Sequence, residues 1–212
     1  MTENTTANPT PEPGADELER FALEECVKRQ RVDHHVSVLV SPAGHCELAL
    51  RFAQLGADVT VADDESQRRQ VEQRALAAGL AERIAFVPIT ALGEHSGFDI
   101  VFIRRGMSSL PYREAAQRVR RLLRNLKIGG KLYVSVLGLH SELGDGYSSR
   151  ELPIEQRFEP LGALMAKKYE LHDPVCLYTE RNLFMLFLEA GASVLRTLTT
   201  TYGNVQGIAV RV

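Results

Sequence analysis

VSVLVSPAGHCELALRFAQLGADVTVADD, residues 36–64, is the stretch that decides the fold. Residues 36–40 read as a buried strand and 41–45 as a tight turn. Residues 46–54 read as a helix and 58–62 as a second strand, closed by Asp63 and Asp64. Strands of a parallel sheet covered on both faces are almost continuously apolar, and the crossover between two of them takes a dozen or more residues. In such sheets ligands bind beyond the carboxyl ends of the strands. The turn and the two acids are therefore the first candidates for chemistry.

Outward from this unit, strand and helix patterns keep alternating. Residues 65–78 read as an acid-started helix with Val71, Ala75 and Leu76 inward, stopped by Gly79. Residues 84–87 form a short third strand ended by Pro88. A loop, TALGEHSG, leads to a fourth strand at 98–103. Residues 112–125 read as a helix, with Ala115, Val119, Leu122 and, just past its end, Leu126 at helical spacing. LKIGG then turns the chain into a fifth strand at 131–136. This alternation predicts a doubly wound sheet with right-handed crossovers.

At the amino end, residues 1–14 are polar and punctuated by Pro9, Pro11 and Pro13, which predicts a disordered tail. A helix over 15–29 follows, with Leu18, Phe21, Ala22 and Glu25 on one face. Beyond residue 136 the alternation breaks. Residues 137–178 are loop-like, with one short amphipathic helix around Leu161, Leu164, Met165 and Lys168. Such a stretch reads as an insertion or lid over the ligand edge of a single domain spanning 15–212. Residues 179–190 form a helix capped by Thr179. The chain ends in a hairpin turned at Tyr202, Gly203 and Asn204.

Bulk composition narrows the function classes. The 212 residues carry a formal net charge of −2, so no basic field attracts nucleic acid or an anionic membrane. Cys26, Cys46 and Cys176 are widely spaced and odd in number, which favours a reducing cytoplasm over a disulfide framework. The amino end lacks the apolar core of a signal peptide, and no stretch approaches the roughly 20 apolar residues of a membrane span. The six histidines show no metal-ligand spacing. His140, with Glu142 and Asp145 nearby in sequence, is the one conceivable general base, and an unemployed loop histidine is the plainer reading. No GxSxG, GxxxxGK[ST] or GxGxxG is present, which speaks against a hydrolase, a P-loop enzyme and a dinucleotide oxidoreductase. The arginines of residues 113–124 read as a solvated face.

Three later stretches carry a family resemblance: RVRRLLRNLKIGGKLYVSV, FDIVFIRRGMSSLP and YTERNLFMLFLEAGASVLR. In order and spacing they resemble the class I S-adenosylmethionine-dependent methyltransferases, over nearly all of the chain after about residue 30. The resemblance implies an α/β, Rossmann-like, doubly wound, mostly parallel seven-stranded sheet with an antiparallel last strand. It also implies S-adenosylmethionine as cofactor and an oxygen or nitrogen of a small molecule as methyl acceptor, in a pocket supplied by 137–178. By this resemblance Asp63, with Asp64 beside it, would hold the ribose hydroxyls. Ser41, Ala43 and Gly44 would face the methionine end, Thr90 and Ala91 the adenine. Arg104 would face an acidic group of a ligand. Each has a plainer alternative. The acids can cap the following helix, Gly44 can simply permit a turn, and Arg104 and Arg105 can pair with Asp99 or Glu114. No catalytic residue carries over.

The sequence departs from the family at its acid-x-Gly-x-Gly-x-Gly turn. Those positions fall on Val40, Pro42, Gly44 and Cys46, so one glycine of three survives. This degeneracy gives the second expectation, a catalytically inactive methyltransferase-like protein acting through a partner. The sequence leaves open a protein partner or a homodimer.

Overall fold

The computed structural model describes residues 17–212, apart from His34 and His45. The predicted tail over 1–14 lies outside the described residues. Helix α1 spans Glu17–Gln30, β1 Ser37–Ser41, α2 Glu47–Gln54 and β2 Asp58–Asp63. Helix α3 spans Arg68–Ala77, β3 Ile84–Pro88 and β4 Phe98–Arg104. Next come α4 Tyr112–Asn125, β5 Leu126–Val136, α5 Ala163–Tyr169 and α6 Glu180–Glu189, then the hairpin β6 Ser193–Thr199 and β7 Val205–Val210.

The seven strands form one sheet in the order β3-β2-β1-β4-β5-β7-β6. The five strands β1 to β5 run parallel, and β7 lies antiparallel between β5 and β6. This is the class I methyltransferase architecture. Strand parity sends alternate residues to opposite faces. Val38, Val40, Ile100 and Phe102 pack with α1, α2 and α3 in one apolar layer. Leu39, Val101, Ile103 and Val134 pack with α4 and α6 in the other. The strand order reverses between β1 and β4, and that switch point is where such sheets bind ligands.

Local differences from the sequence reading have local causes. Helix α2 starts at Glu47 because Cys46 is left-handed, with φ 63°. The chain before α3 is a 3-10 turn, Glu65–Gln67, capped by the Asp64 carboxylate. The loop after β3 is another, Ile89–Glu94. LKIGG continues strand β5 through an irregular register against β4. Leu76 and Leu164 face solvent although helical spacing placed them inward.

Residues 137–178 build a third, smaller core from Leu139, Leu143, Tyr147, Leu161, Met165 and Leu177. Ser108, in the loop after β4, ties this segment down. Its hydroxyl accepts from the Leu137 N–H at 2.8 Å and its carbonyl from the Cys176 N–H at 2.8 Å. Among the described residues no helix is long and apolar enough to cross a membrane.

Candidate functional site

The turn between β1 and α2 lies at the carboxyl end of the switch point. It is shaped by Gly44 at φ 52° and Cys46 at φ 63°, both left-handed. A residue other than glycine pays about 1–2 kcal/mol for that conformation, and Cys46 recovers part of it in place. Its side chain is almost fully buried in the layer under α2, and its N–H donates to the Ala43 carbonyl at 2.8 Å. Ala43 likewise turns its methyl into that layer. His45 lies outside the described residues; among the described residues of the turn, Ala43 and Cys46 therefore face the core. Pro42 is the exception: it is exposed at the edge, after a cis peptide bond from Ser41. A Cβ built on Gly44 would meet nothing within 4 Å.

Asp63 braces the turn. One carboxylate oxygen accepts from the Ala43 N–H at 2.7 Å and the other from the Asp64 N–H at 2.7 Å. A carboxylate has about four lone-pair positions, so each oxygen keeps one for a further donor. Asp64 has separate work. Its carboxylate accepts from the Ser66 N–H at 3.0 Å, which holds its proton affinity below the usual carboxylate value. The two acids thus divide: Asp64 caps the next turn as the plainer reading allowed, while Asp63 faces the ligand edge.

Arg104, at the end of β4, pairs with neither Asp99 nor Glu114. Its guanidinium forms an ion pair with Glu19 of α1, which also accepts from Arg51 of α2 at 3.1 Å. Asp99 is occupied at the opposite edge by Arg29, by Lys127 and by the Ser37 N–H. The Arg104 cation is thereby committed to fastening α1, on the face of the sheet away from α4.

A cavity of about 230 Å³ opens between the ends of β1 and β4, the 3-10 turn after β3, and α4. Ser41, Pro42, Ile89, Leu92, Ile103, Gly106, Ser109, Arg118 and Leu122 line it. A 3-10 helix repeats every three residues, so Ile89 and Leu92 share the face toward the cavity. Thr90 is exposed and Ala91 half-buried, and neither lines it. Residues 137–178, expected to supply the acceptor pocket, contribute nothing to this lining. Nor does Glu142 orient His140. Its carboxylate is held by Lys168 and Tyr169, and His140 lies exposed on a shallow second cavity of about 460 Å³ beside the β6–β7 turn.

The structure thus brings Ser41, Ala43, Gly44 and Asp63 together at one edge and sends Arg104 to another task. Sequence reasoning missed Arg118, which it left among solvated arginines. The signal was available: residue 118 lies three after Ala115 and four before Leu122, on the buried stripe of α4.

No protein-family model matches the sequence, and no curated protein matches it. Solved structures do match. An S-adenosylmethionine-dependent methyltransferase from Methanosarcina mazei superposes with a TM-score of 0.66 at 20% identity, over 88% of this chain and 97% of its own. An O-methyltransferase family protein from Burkholderia thailandensis matches with a TM-score of 0.63 at 16% identity, over 92% of this chain and 56% of its own. PigF, solved with S-adenosylhomocysteine, matches with a TM-score of 0.61 at 16% identity, again over 92% and 56%. The chain spans nearly the whole length of the first and little more than half of the other two. At these identities the likeness establishes the fold.

Proposed function

We propose that this chain, which has the class I methyltransferase fold, is an S-adenosylmethionine-dependent methyltransferase acting on an oxygen or nitrogen of a small molecule. The observation that carries the reading is the free carboxyl edge beside Asp63. Ala43 and Cys46 bury their side chains in the core, Gly44 leaves open space, and Asp63 retains acceptor capacity. Those features fit an adenosyl ligand: Asp63 for the ribose hydroxyls, Ser41 to Gly44 for the methionine end, Thr90 and Ala91 beside the adenine.

When bound, the cofactor supplies an activated methyl group on a sulfonium. The chain's contribution is placement. Asp63 accepts hydrogen bonds, the turn presents backbone, and Ile103 and Leu92 give the neighbouring cavity apolar walls. Aligned displacement at a methyl gains chiefly from proximity and orientation, so the absence of an assigned catalytic base is compatible with activity.

Isothermal titration with S-adenosylmethionine and S-adenosylhomocysteine tests this. The expected result is micromolar binding that is lost in Asp63→Ala. Absence of heat at high ligand concentration, from protein shown to be folded, would remove the proposal. That outcome would favour the second reading, a binding module without catalysis. Its motivating observation is Val40, a core residue that brings no carboxylate where the family pattern has an acid.

A further inference from the structure

Helix α6 is apolar on two sides. Leu183, Leu186 and Phe187 turn inward and are fully buried in the layer shared with α4. Phe184, Met185 and Leu188 are 39%, 39% and 45% exposed. Residues three and four apart are neighbours on a helix, so these three share one outer face with the exposed Arg181. Elsewhere among the described residues exposed large apolar side chains stand singly, as Leu76 does on α3, Ile128 on β5 and Leu164 on α5. Scattered apolar residues are ordinary on a protein surface. A phenylalanine, a methionine and a leucine together on one short helix have the composition of an interface centre.

The charges at the ends of this stripe select its cover. Among the described residues no hydrogen bond or ion pair engages Arg181. At the other end Glu189 is exposed, and its carboxylate accepts only from the Tyr112 hydroxyl, at 3.1 Å on one oxygen. Arg181 and Glu189 each stand four residues from Met185, about 6 Å along the axis in opposite directions. A second α6 laid antiparallel, with the two-fold axis at Met185, therefore brings Arg181 of each copy to Glu189 of the other. A two-fold contact requires this kind of self-complementarity, in which residue i meets j and j meets i. A partner of one charge sign would satisfy one end of the stripe and repel the other.

We propose that the outer face of α6 is a homodimer contact, packed antiparallel on the same helix of a second copy. Met185 lies on the two-fold axis, Phe184 and Leu188 flank it, and two Arg181–Glu189 pairs close the ends. A helix of ten residues is about 15 Å long and supplies only part of the roughly 800 Å² per partner of a standard interface. The dimer is accordingly weak and reversible, with a micromolar dissociation constant. The proposal is independent of the transferase reading.

Sedimentation velocity of the full chain across the micromolar range tests it, with thermal denaturation to check that each variant is folded. The expected result is a monomer–dimer equilibrium. Met185→Asp, which sets two carboxylates together on the axis, should abolish the dimer. Arg181→Glu and Glu189→Arg should each weaken it at least tenfold, and the two together should restore it. An undiminished dimer in Met185→Asp overturns the assignment to this face. Failure of the double reversal to restore association overturns the antiparallel pairing. Cross-linking reads the same geometry. Cys26, Cys46 and Cys176 are buried, so Met185→Cys supplies the exposed thiol. Mild oxidation should join two chains through it much faster than through the more exposed control Ile128→Cys; equal rates overturn the proposal. A monomer at every concentration also overturns it, and slow maleimide labelling of Met185→Cys in that monomer would assign the cover to another segment of the same chain.

Discussion

The β1–α2 turn and the junction between residues 137–178 and the terminal hairpin use glycine for opposite reasons. At the junction, backbone meets backbone. A Cβ on Gly138 would overlap the Gly203 carbonyl oxygen, and one on Gly203, at φ 81°, would lie 2.5 Å from the Ser141 Cα. A Cβ on Gly144 would overlap the Leu139 carbonyl oxygen. At the turn, a Cβ on Gly44 meets nothing within 4 Å. The junction glycines are imposed by the folded chain. The turn is held by Asp63 and by buried side chains, so its bare edge serves the fold only through the backbone angle of Gly44. Space that the fold does not need is space for a ligand.

Substitutions can break that contrast. Gly138→Ala should have the largest effect, about 3 kcal/mol or more of lost stability in urea denaturation, since neither backbone segment has a flexible tip that can yield. A loss below about 1 kcal/mol would mean that the junction relaxes and the contrast is weaker than the geometry states. Asp63→Ala comes next, at about 1–3 kcal/mol, because it leaves the part-buried Ala43 N–H without its acceptor. Gly44→Ala should cost about 1–2 kcal/mol from its left-handed angle alone. Gly44→Asn should cost less, because asparagine tolerates that region. A penalty for Gly44→Ala as large as that for Gly138→Ala would show hidden crowding at the turn.

The smallest effect sets a floor, far from both regions. Glu25 is desolvated by burial, which raises its proton affinity. The hydrogen bond and charge of Lys131, with those of Arg29, outweigh this and hold its carboxyl below the usual 4.5. A carboxyl depressed in the folded state contributes stability above its unfolded value, and that contribution is lost as pH falls through the folded value. Lys131→Met should therefore reduce stability by about 1 kcal/mol or less near neutrality. The gap between variant and parent should close as pH drops below 4.5. A gap unchanged at low pH would show that the pair contributes through packing alone.

Much of the fold was legible because it depends on local pattern. Ala115, Val119 and Leu122 predicted α4, and all three are buried on it, whereas Leu126, read at the same spacing, is extended and opens β5, where it is also buried. The Thr179 cap was equally readable, and Asn182 completes it by bonding back to the Thr179 N–H at 2.9 Å. Local pattern was silent where distant segments decide. Glu19 and Arg104 stand 85 residues apart, and their pairing depends on where α1 lands on the sheet. The Asp63 to Ala43 bond joins two strand ends across β1 and β2. Leu76 and Leu164 had the right spacing and no neighbouring layer to bury them. Arg118 was masked by its composition, being one of several arginines on a helix whose apolar stripe it interrupts. The cavity it enters exists only once β1, β4 and α4 are assembled.

The central claim is that an adenosyl ligand lies across the carboxyl edge of this sheet with its sugar on Asp63. A crystal of the protein grown with S-adenosylhomocysteine tests it most directly. The account predicts ribose density within hydrogen-bonding distance of the Asp63 carboxylate and methionine density along Ser41 to Gly44. An edge closed by Pro42 and its neighbours, with no ligand density beside Asp63, would contradict it.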